Sequence, residues 1–505
     1  MIKFAPLYKW RKFLVLNINF IMEKKINVKY CILLPIVLLV TVFLWCAPKE
    51  IFGTLGDVLT VTQQRTIAIF AFAALMWIFE IVPNWVTSLM IIVGSLLTIS
   101  SKSIGFLKVT GDDSLFVPYT ELMRSFADPI VMLFLGGFVL AIVASKYGMD
   151  VTMARLLLKP FGKKPKWVLL GVLCVIAIFS MFMSNTATAA MFLAFLAPVF
   201  ASLPDTDAKG KVGIALAIPI AANVGGIGTP IGTPPNATAV GNLDSLAGIT
   251  IGFSDWAFRM IPFVIVMILI AWALLTFFYP FKSKEIVLEI KKDDHKKTYK
   301  DYVAWITFGA TIVLWMTEQL HGISSNIVAL IPLCVYTATG VFGKEDIKEI
   351  NWDVLWLVAG GFALGYALDK TGLAKALITS IDFSAMSIIV VFVVAGLICY
   401  LLSNFISNSA TAALLIPIMI AIGKGLLESG NAEAFQAFGG QQGLSVFVAV
   451  CASVAMCLPI STPPNAIASA TGLVETKDMT KVGLIVGIIG LVLGFFWVTK
   501  FFPFV

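Results

Sequence analysis

The chain reads "SNTATAA" from Ser184 and "SNSATAA" from Ser407, 223 residues later (407 less 184). It reads "TPPN" from Thr233 and again from Thr462, 229 residues later (462 less 233). All four stretches are small, polar and uncharged, and all lie inside apolar segments. Their Ser, Thr and Asn side chains bring neutral oxygens and amides. Two consecutive prolines remove backbone donors and clash with the preceding turn, so a helix must break there. A broken helix offers carbonyl oxygens from one half and a positive N-terminal dipole from the other. Carbonyl and side-chain oxygens suit a hard monovalent cation such as Na+, and the helix N-termini suit the carboxylates of an anion. Small polar residues also act as packing contacts in membrane helices. Duplication in register with the proline breaks favours binding.

The missing residue types narrow the chemistry. Neither motif, nor the spans around it, carries Lys, Arg, Asp or Glu. Proton-coupled carriers embed a titratable group, so coupling by protonation of the protein is disfavoured. No arginine clamp is present for an anion, so co-bound cations and helix dipoles must neutralise it. Moving a dianion inward against 100 mV costs roughly 4–5 kcal/mol, at about 2.3 per charge. Two Na+ cancel that and a third would let the potential assist. The doubled motif offers two cation sites and the sequence does not locate a third.

These residues must be positioned by membrane helices. The 505 residues are 59% hydrophobic and only 13% charged, against about a quarter charged in soluble domains, and mean hydropathy is +0.95. Apolar stretches long enough to cross a bilayer recur along the chain, giving an all-α polytopic membrane protein. The net charge of +7 sits in short loops between spans, which is topology signalling, not nucleic-acid binding. The seven cysteines have no paired spacing, so no disulfide framework or metal site is indicated. The two histidines, His295 and His321, lie in a charged loop and near a span end. The segment before the first span lacks a signal-peptide cleavage site, and Met22 offers an alternative start.

Spans are expected near 30–48, 64–82, 84–100, 129–145, 213–242, 258–280, 302–320, 323–342, 352–369, 443–470 and 482–504. Segments 168–203 and 385–423 read best as re-entrant hairpins. That choice puts the basic stretches 145–166 and 281–301 on the same side as the basic N-terminus, which the positive-inside rule makes cytoplasmic. The chain then divides into a cytoplasmic N-terminal segment (1–29), a first span and first repeat (30–280, hairpin 168–203), a cytoplasmic linker (281–301) and a second repeat (302–505, hairpin 385–423). Other matches support the repeat. Trp77/Glu80 pairs with Trp315/Glu318, and "GGF" at Gly136 pairs with "GGF" at Gly360. The glycine pairs read as close helix packing, and Glu80 and Glu318 as structural caps. Five crossings and one hairpin separate matched elements, so the halves are inverted. Inverted repeats with interrupted helices at matched places mark secondary transporters.

Together the paired Ser-Asn-Thr-type tips and paired Thr-Pro-Pro-Asn breaks resemble the divalent anion:sodium symporter family, over roughly residues 60–505. The resemblance implies about 11 transmembrane helices plus two hairpins, scaffold and transport domains, and an elevator-type homodimer in the cell (inner) membrane. It implies Na+ as the coupling ion, in a first site of Ser180, Ser184, Asn185 and Gly232 and a second of Ser403, the Ile406 backbone, Asn408 and Ser461. Substrate carboxylates would meet Asn185, Thr186, Asn408, Ser409, Thr462 and Pro463. Ser409 stands where the family commonly has Thr, a departure that bears on substrate size.

The expected function is Na+-coupled symport of a C4-dicarboxylate such as succinate, malate or fumarate. Alternatives are a sodium-independent dicarboxylate/2-oxoglutarate exchanger and a sulfate carrier. A membrane-embedded enzyme would need a nucleophile–base pair or metal ligands at midplane depth, and the sequence shows neither. A channel fits two occluding hairpins less well than alternating access does. There is no P-loop for ATP-driven transport.

Overall fold

The computed structural model describes residues 29–108, 116–286, 297–380 and 387–504. The basic N-terminal segment with Met22, and His295, lie outside these. Among the described residues the regular structure is helical, and the one β feature is an isolated bridge between Ser100 and Val117. The principal helices are α1 (Leu34–Cys46), α2 (Val61–Phe79), α3 (Asn84–Thr98), α4 (Pro129–Lys146), α5 (Pro165–Ser180), α6 (Asn185–Ser202), α7 (Ala208–Gly226), α8 (Pro234–Ala247) and α9 (Phe253–Phe278). The second half follows with α10 (Tyr299–Met316), α11 (Ser325–Ala338), α12 (Trp352–Lys370), α13 (Ile388–Phe405), α14 (Asn408–Glu428), α15 (Gly440–Ser453), α16 (Pro463–Ala470) and α17 (Thr476–Phe496).

Seven helices among the described residues are long and apolar enough to cross a bilayer, or eight if the bent pair Tyr30–Cys46 and Lys49–Val58 is one span. The apolar faces of α9 and α13 point outward. Phe258, Ile265, Leu269 and Phe277 on α9, and Val390, Val394, Leu397 and Leu401 on α13, are all exposed. Exposed apolar surface on this scale has lipid as its natural solvent. The protein is a multi-pass membrane protein.

Local sequence sets the helix starts. Pro129, Pro165, Pro234 and Pro463 occupy the first helical position, where a missing N–H costs nothing. Thr60 and Gln63 close a capping box on α2 (2.9 and 3.2 Å). Ser184 and Ser407, the first residues of the doubled motif, are the N-caps of α6 and α14. Each accepts from the backbone N–H three residues on, at 3.2 Å. Each tip is therefore a helix end, a short turn and a capped restart.

The expected spans 213–242 and 443–470 are each two half-helices, α7/α8 and α15/α16, parted by the stretch leading into Pro-Pro. The halves then interlock reciprocally. Within each half, α5 packs on α7 and α13 on α15. Between halves, α8 packs on α14 and α16 packs on α6. Glycine allows the close crossings. A Cβ on Gly136 would sit 2.2 Å from the Ala329 carbonyl oxygen, and one on Gly360 would sit 2.4 Å from Ser88 Cβ. The two matched glycine pairs thus serve packing, as expected. Glu318 is a cap too. Its carboxylate accepts from Phe253 N at 2.9 Å and Ser325 N at 3.0 Å, tying α9 to α11. Its sequence match Glu80 is exposed, ending α2 with φ 44°.

Candidate functional site

Both tips and both breaks meet at one cavity of about 390 Å³. Ser184, Asn185, Thr186 and Gly232 reach it from the first half, and Asn408, Ser409, Ser461, Thr462 and Pro463 from the second. Ser180, Ser403 and Ile406 lie buried behind it. Phe134, Phe138, Ile231 and Leu357 supply apolar wall. Among the described residues no Lys or Arg lines it, but one carboxylate does. Asp353, in the first turn of α12, adds a negative charge that the tips and breaks lack.

Behind the first tip, neutral oxygens crowd together. Asn185 Oδ1 stands 2.7 Å from Ser180 Oγ, which donates at 2.7 Å to the Ala222 carbonyl. The same amide end faces the carbonyls of Ala222 and Gly232, each at 3.1 Å. A Cβ on Gly226 would collide with Asn185 Oδ1 at 2.5 Å, so glycine is what lets the amide approach. An oxygen facing acceptors is satisfied in two ways: the amide turns its NH2 inward, or a cation enters the cluster. Hard cations take such oxygen sets, so the residues present fit Na+.

The second cluster differs in detail. Ser403 Oγ is fully buried with no oxygen or nitrogen partner and only the weak Cys399 thiol near it. Asn408 Oδ1 is likewise buried and unpartnered. Ser461 Oγ donates to the Asn404 carbonyl at 2.9 Å and accepts from Leu458 N at 3.1 Å. Buried polar atoms without partners are rare, and a cation held between them would account for both.

The asparagines of the breaks staple the loosened backbone. Asn236 Nδ2 donates to the carbonyls of Gly226 (3.0 Å), Ile227 (3.2 Å) and Thr229 (2.8 Å). Asn465 Nδ2 donates to Met456 (2.8 Å) and Leu458 (2.9 Å). Irregular backbone at membrane depth needs such partners. Thr462 is fully engaged as well. Its hydroxyl donates to Asn465 Oδ1 (3.0 Å) and accepts from Asn465 N (3.2 Å) and Asn223 Nδ2 (3.1 Å). The matching Thr233 lines the cavity without a side-chain capping bond.

Among the lining residues that sequence reasoning missed, four bring polar or charged groups that bear on the site. Asn223 on α7 bridges to the second break. Asn84, which starts α3, donates to Ser407 Oγ at 2.9 Å and so holds the second tip. Thr233 and Asp353 complete the set. A lone amide inside the apolar run "IALAIPIAANVGG" was the available signal for Asn223.

Two hairpin tips and two stapled helix breaks, all uncharged, around one cavity define a membrane-carrier architecture. Residues 74–438 match a family model described as citrate transporter. An uncharacterized transporter of Haemophilus influenzae is 30% identical over 446 residues, spanning 84% of this chain and 89% of its own. The sodium-dependent dicarboxylate transporter SdcS of Staphylococcus saprophyticus is 27% identical over 406 residues, 74% of this chain and 76% of its own. The crystal structure of the Alcanivorax borkumensis YdaH transporter shares the fold, with a TM-score of 0.51 at 14% identity over 82% of this chain and 98% of that one. The chain belongs to the divalent anion:sodium symporter type of family, to which the citrate-transporter model and these relatives point together. It is a transporter and not an enzyme.

Proposed function

We propose that the protein is a Na+-coupled symporter of C4-dicarboxylates such as succinate, malate and fumarate. The observation that carries this reading is the pair of neutral oxygen clusters behind the two tips, flanking one cavity without Lys or Arg. Ser180, Ser184, Asn185 and Gly232 hold one Na+, and Ser403, the Ile406 backbone, Asn408 and Ser461 hold the other. The carboxylates meet Asn185, Thr186, Asn408, Ser409 and the start of α16 at Thr462 and Pro463. Because the Thr462 hydroxyl is already engaged, the Thr233 hydroxyl joins the set. Family resemblance adds an elevator-type movement in a homodimer, in the cell (inner) membrane with a cytoplasmic N-terminus. The sodium-dependent dicarboxylate transport named for the staphylococcal relative supports both cargo and ion.

The test is uptake of labelled succinate by purified protein in liposomes. The reading expects uptake only with an inward Na+ gradient, and its loss in Asn185→Ala and Asn408→Ala protein that still reaches the membrane. Equal uptake with choline replacing Na+ removes the coupling. Uptake requiring internal dicarboxylate identifies an exchanger, and displacement by sulfate alone identifies a sulfate carrier.

A further inference from the structure

Asn223 is a cavity amide that the repeat does not duplicate; Asn84, the other, donates to Ser407 of the second tip. Asn185 matches Asn408, Thr186 matches Ser409 and Thr233 matches Thr462, all lining the cavity. Shifted by the 229 residues that relate the two breaks, Asn223 falls on Ala452 (223 plus 229), which is fully buried. A site with two equivalent ends suits a ligand with two equivalent carboxylates. An extra amide on one side that holds neither tip suits a substituent that breaks the ligand's symmetry.

The orientation of that amide is fixed. Asn223 Nδ2 donates to Thr462 Oγ1 at 3.1 Å and Asn465 Oδ1 at 3.3 Å. Thr462 Oγ1 gives its own proton to Asn465 Oδ1 at 3.0 Å, so toward Asn223 it acts as an acceptor. Turning the amide over would set its oxygen against two acceptors. Asn223 Oδ1 is thus the free end of a residue that is 1% exposed and lines the cavity. It is an acceptor with no donor function.

We propose that Asn223 Oδ1 accepts a hydrogen bond from a hydroxyl on the carbon chain of the cargo. Asn223 then discriminates a 2-hydroxy C4-dicarboxylate from its unsubstituted analogue. This rests on the dicarboxylate reading above. A site built to bond a substrate hydroxyl disfavours the analogue lacking it, because the buried protein group is left unpaired.

The experiment is competition by unlabelled malate and by unlabelled succinate against labelled succinate uptake by the full chain in liposomes under an inward Na+ gradient. Wild type is expected to bind malate more tightly than succinate. Asn223→Ala is expected to reduce that malate preference by about tenfold. The variant also loses its bonds to Thr462 and Asn465, which weakens both ligands alike and cancels in the ratio. Asn223→Ser, which keeps a shorter oxygen, is expected to fall between. Should the alanine variant not reach the membrane, the serine variant carries the same ratio, read also as ligand-induced thermal stabilisation in detergent. A malate-to-succinate ratio unchanged within twofold of wild type overturns the assignment and leaves dicarboxylate transport standing. Absence of any dicarboxylate uptake or competition in wild type overturns both, and is seen before any variant is made.

Discussion

Replacing Asn236 with aspartate changes one atom and is expected to be worse than truncating it to alanine. Asn236 is fully buried, and its amide holds three carbonyls of the first break. Two of these keep another donor in Asn236→Ala: Ile227 O retains the Trp256 indole at 2.9 Å, and Thr229 O retains Gly232 N at 3.2 Å. Gly226 O keeps none, since the residue four positions on is Pro230, which has no N–H. One bare carbonyl costs about 1–3 kcal/mol, and the two weakened ones add about 0.6 each by the measure of membrane-helix hydrogen bonds. Alanine should therefore destabilise by about 2–4 kcal/mol. In Asn236→Asp a carboxylate oxygen takes the place of the NH2 and faces three carbonyl oxygens. Burying an unpaired charge costs more than losing a neutral bond, on the order of 3–5 kcal/mol or above. The readout is the half-life of the folded protein at fixed temperature, followed by size-exclusion chromatography in detergent, because membrane proteins of this size unfold irreversibly. The expected order is wild type, then alanine, then aspartate. An aspartate variant as long-lived as wild type would refute the stapling argument.

Two further outcomes follow from the packing and the clusters. Ser403→Ala removes a buried hydroxyl that bonds no protein oxygen or nitrogen, so stability without Na+ should stay within about 1 kcal/mol of wild type. The stabilisation gained on adding Na+ should shrink, whereas Ser180→Ala should also lose stability without Na+, because Ser180 Oγ bonds Ala222 O. A full Na+-dependent thermal shift in both variants would argue against cation sites there. Gly136→Ala would press a Cβ to 2.2 Å from Ala329 O and should cost about 1–3 kcal/mol as α4 and α11 separate. Gly94→Ala meets nothing within 4 Å and should stabilise α3 by up to about 1 kcal/mol. Equal thermal stability of the two variants would show that the glycine contact is slack.

What was readable in the sequence was whatever the repeat wrote twice. The tip motifs, the proline breaks and the glycine pairs announced themselves by recurring in order, and each occupies matched places in the fold. Identity of residue did not guarantee identity of role. Glu318 caps two backbone N–H groups, but Glu80 ends a helix in a left-handed turn and is exposed. Thr233 apart, the groups that escaped notice are those written once. Asn84 reaches a partner 323 residues away and Asn223 one 239 residues away, so no local spacing connects them. Hydropathy also could not say which way Thr462 spends its hydroxyl, since that depends on Asn223 arriving from the other half. His321 needed no function to explain it: its ring bonds Leu314 O at 2.8 Å and Ile323 N at 3.0 Å.

On the proposed function, coupling follows from charge alone. The tips and breaks carry no formal charge, so the empty binding set is neutral. With one dicarboxylate and two Na+ it is neutral again. Any intermediate loading carries a net charge of one or two units into a low-dielectric interior, where even a partly relaxed ion costs several kcal/mol. The neutral forms are therefore the ones that cross. Strict coupling then needs no separate latch that senses the ions. Asp353 tests this logic from within the cavity. It belongs to α12, outside both hairpins and both broken helices, so its charge is not one of the groups that hold the cargo. If it travelled with them, the empty form would carry a negative charge across and the loaded form would need a third cation. A stationary Asp353 matches one Na+ in each of the two oxygen clusters.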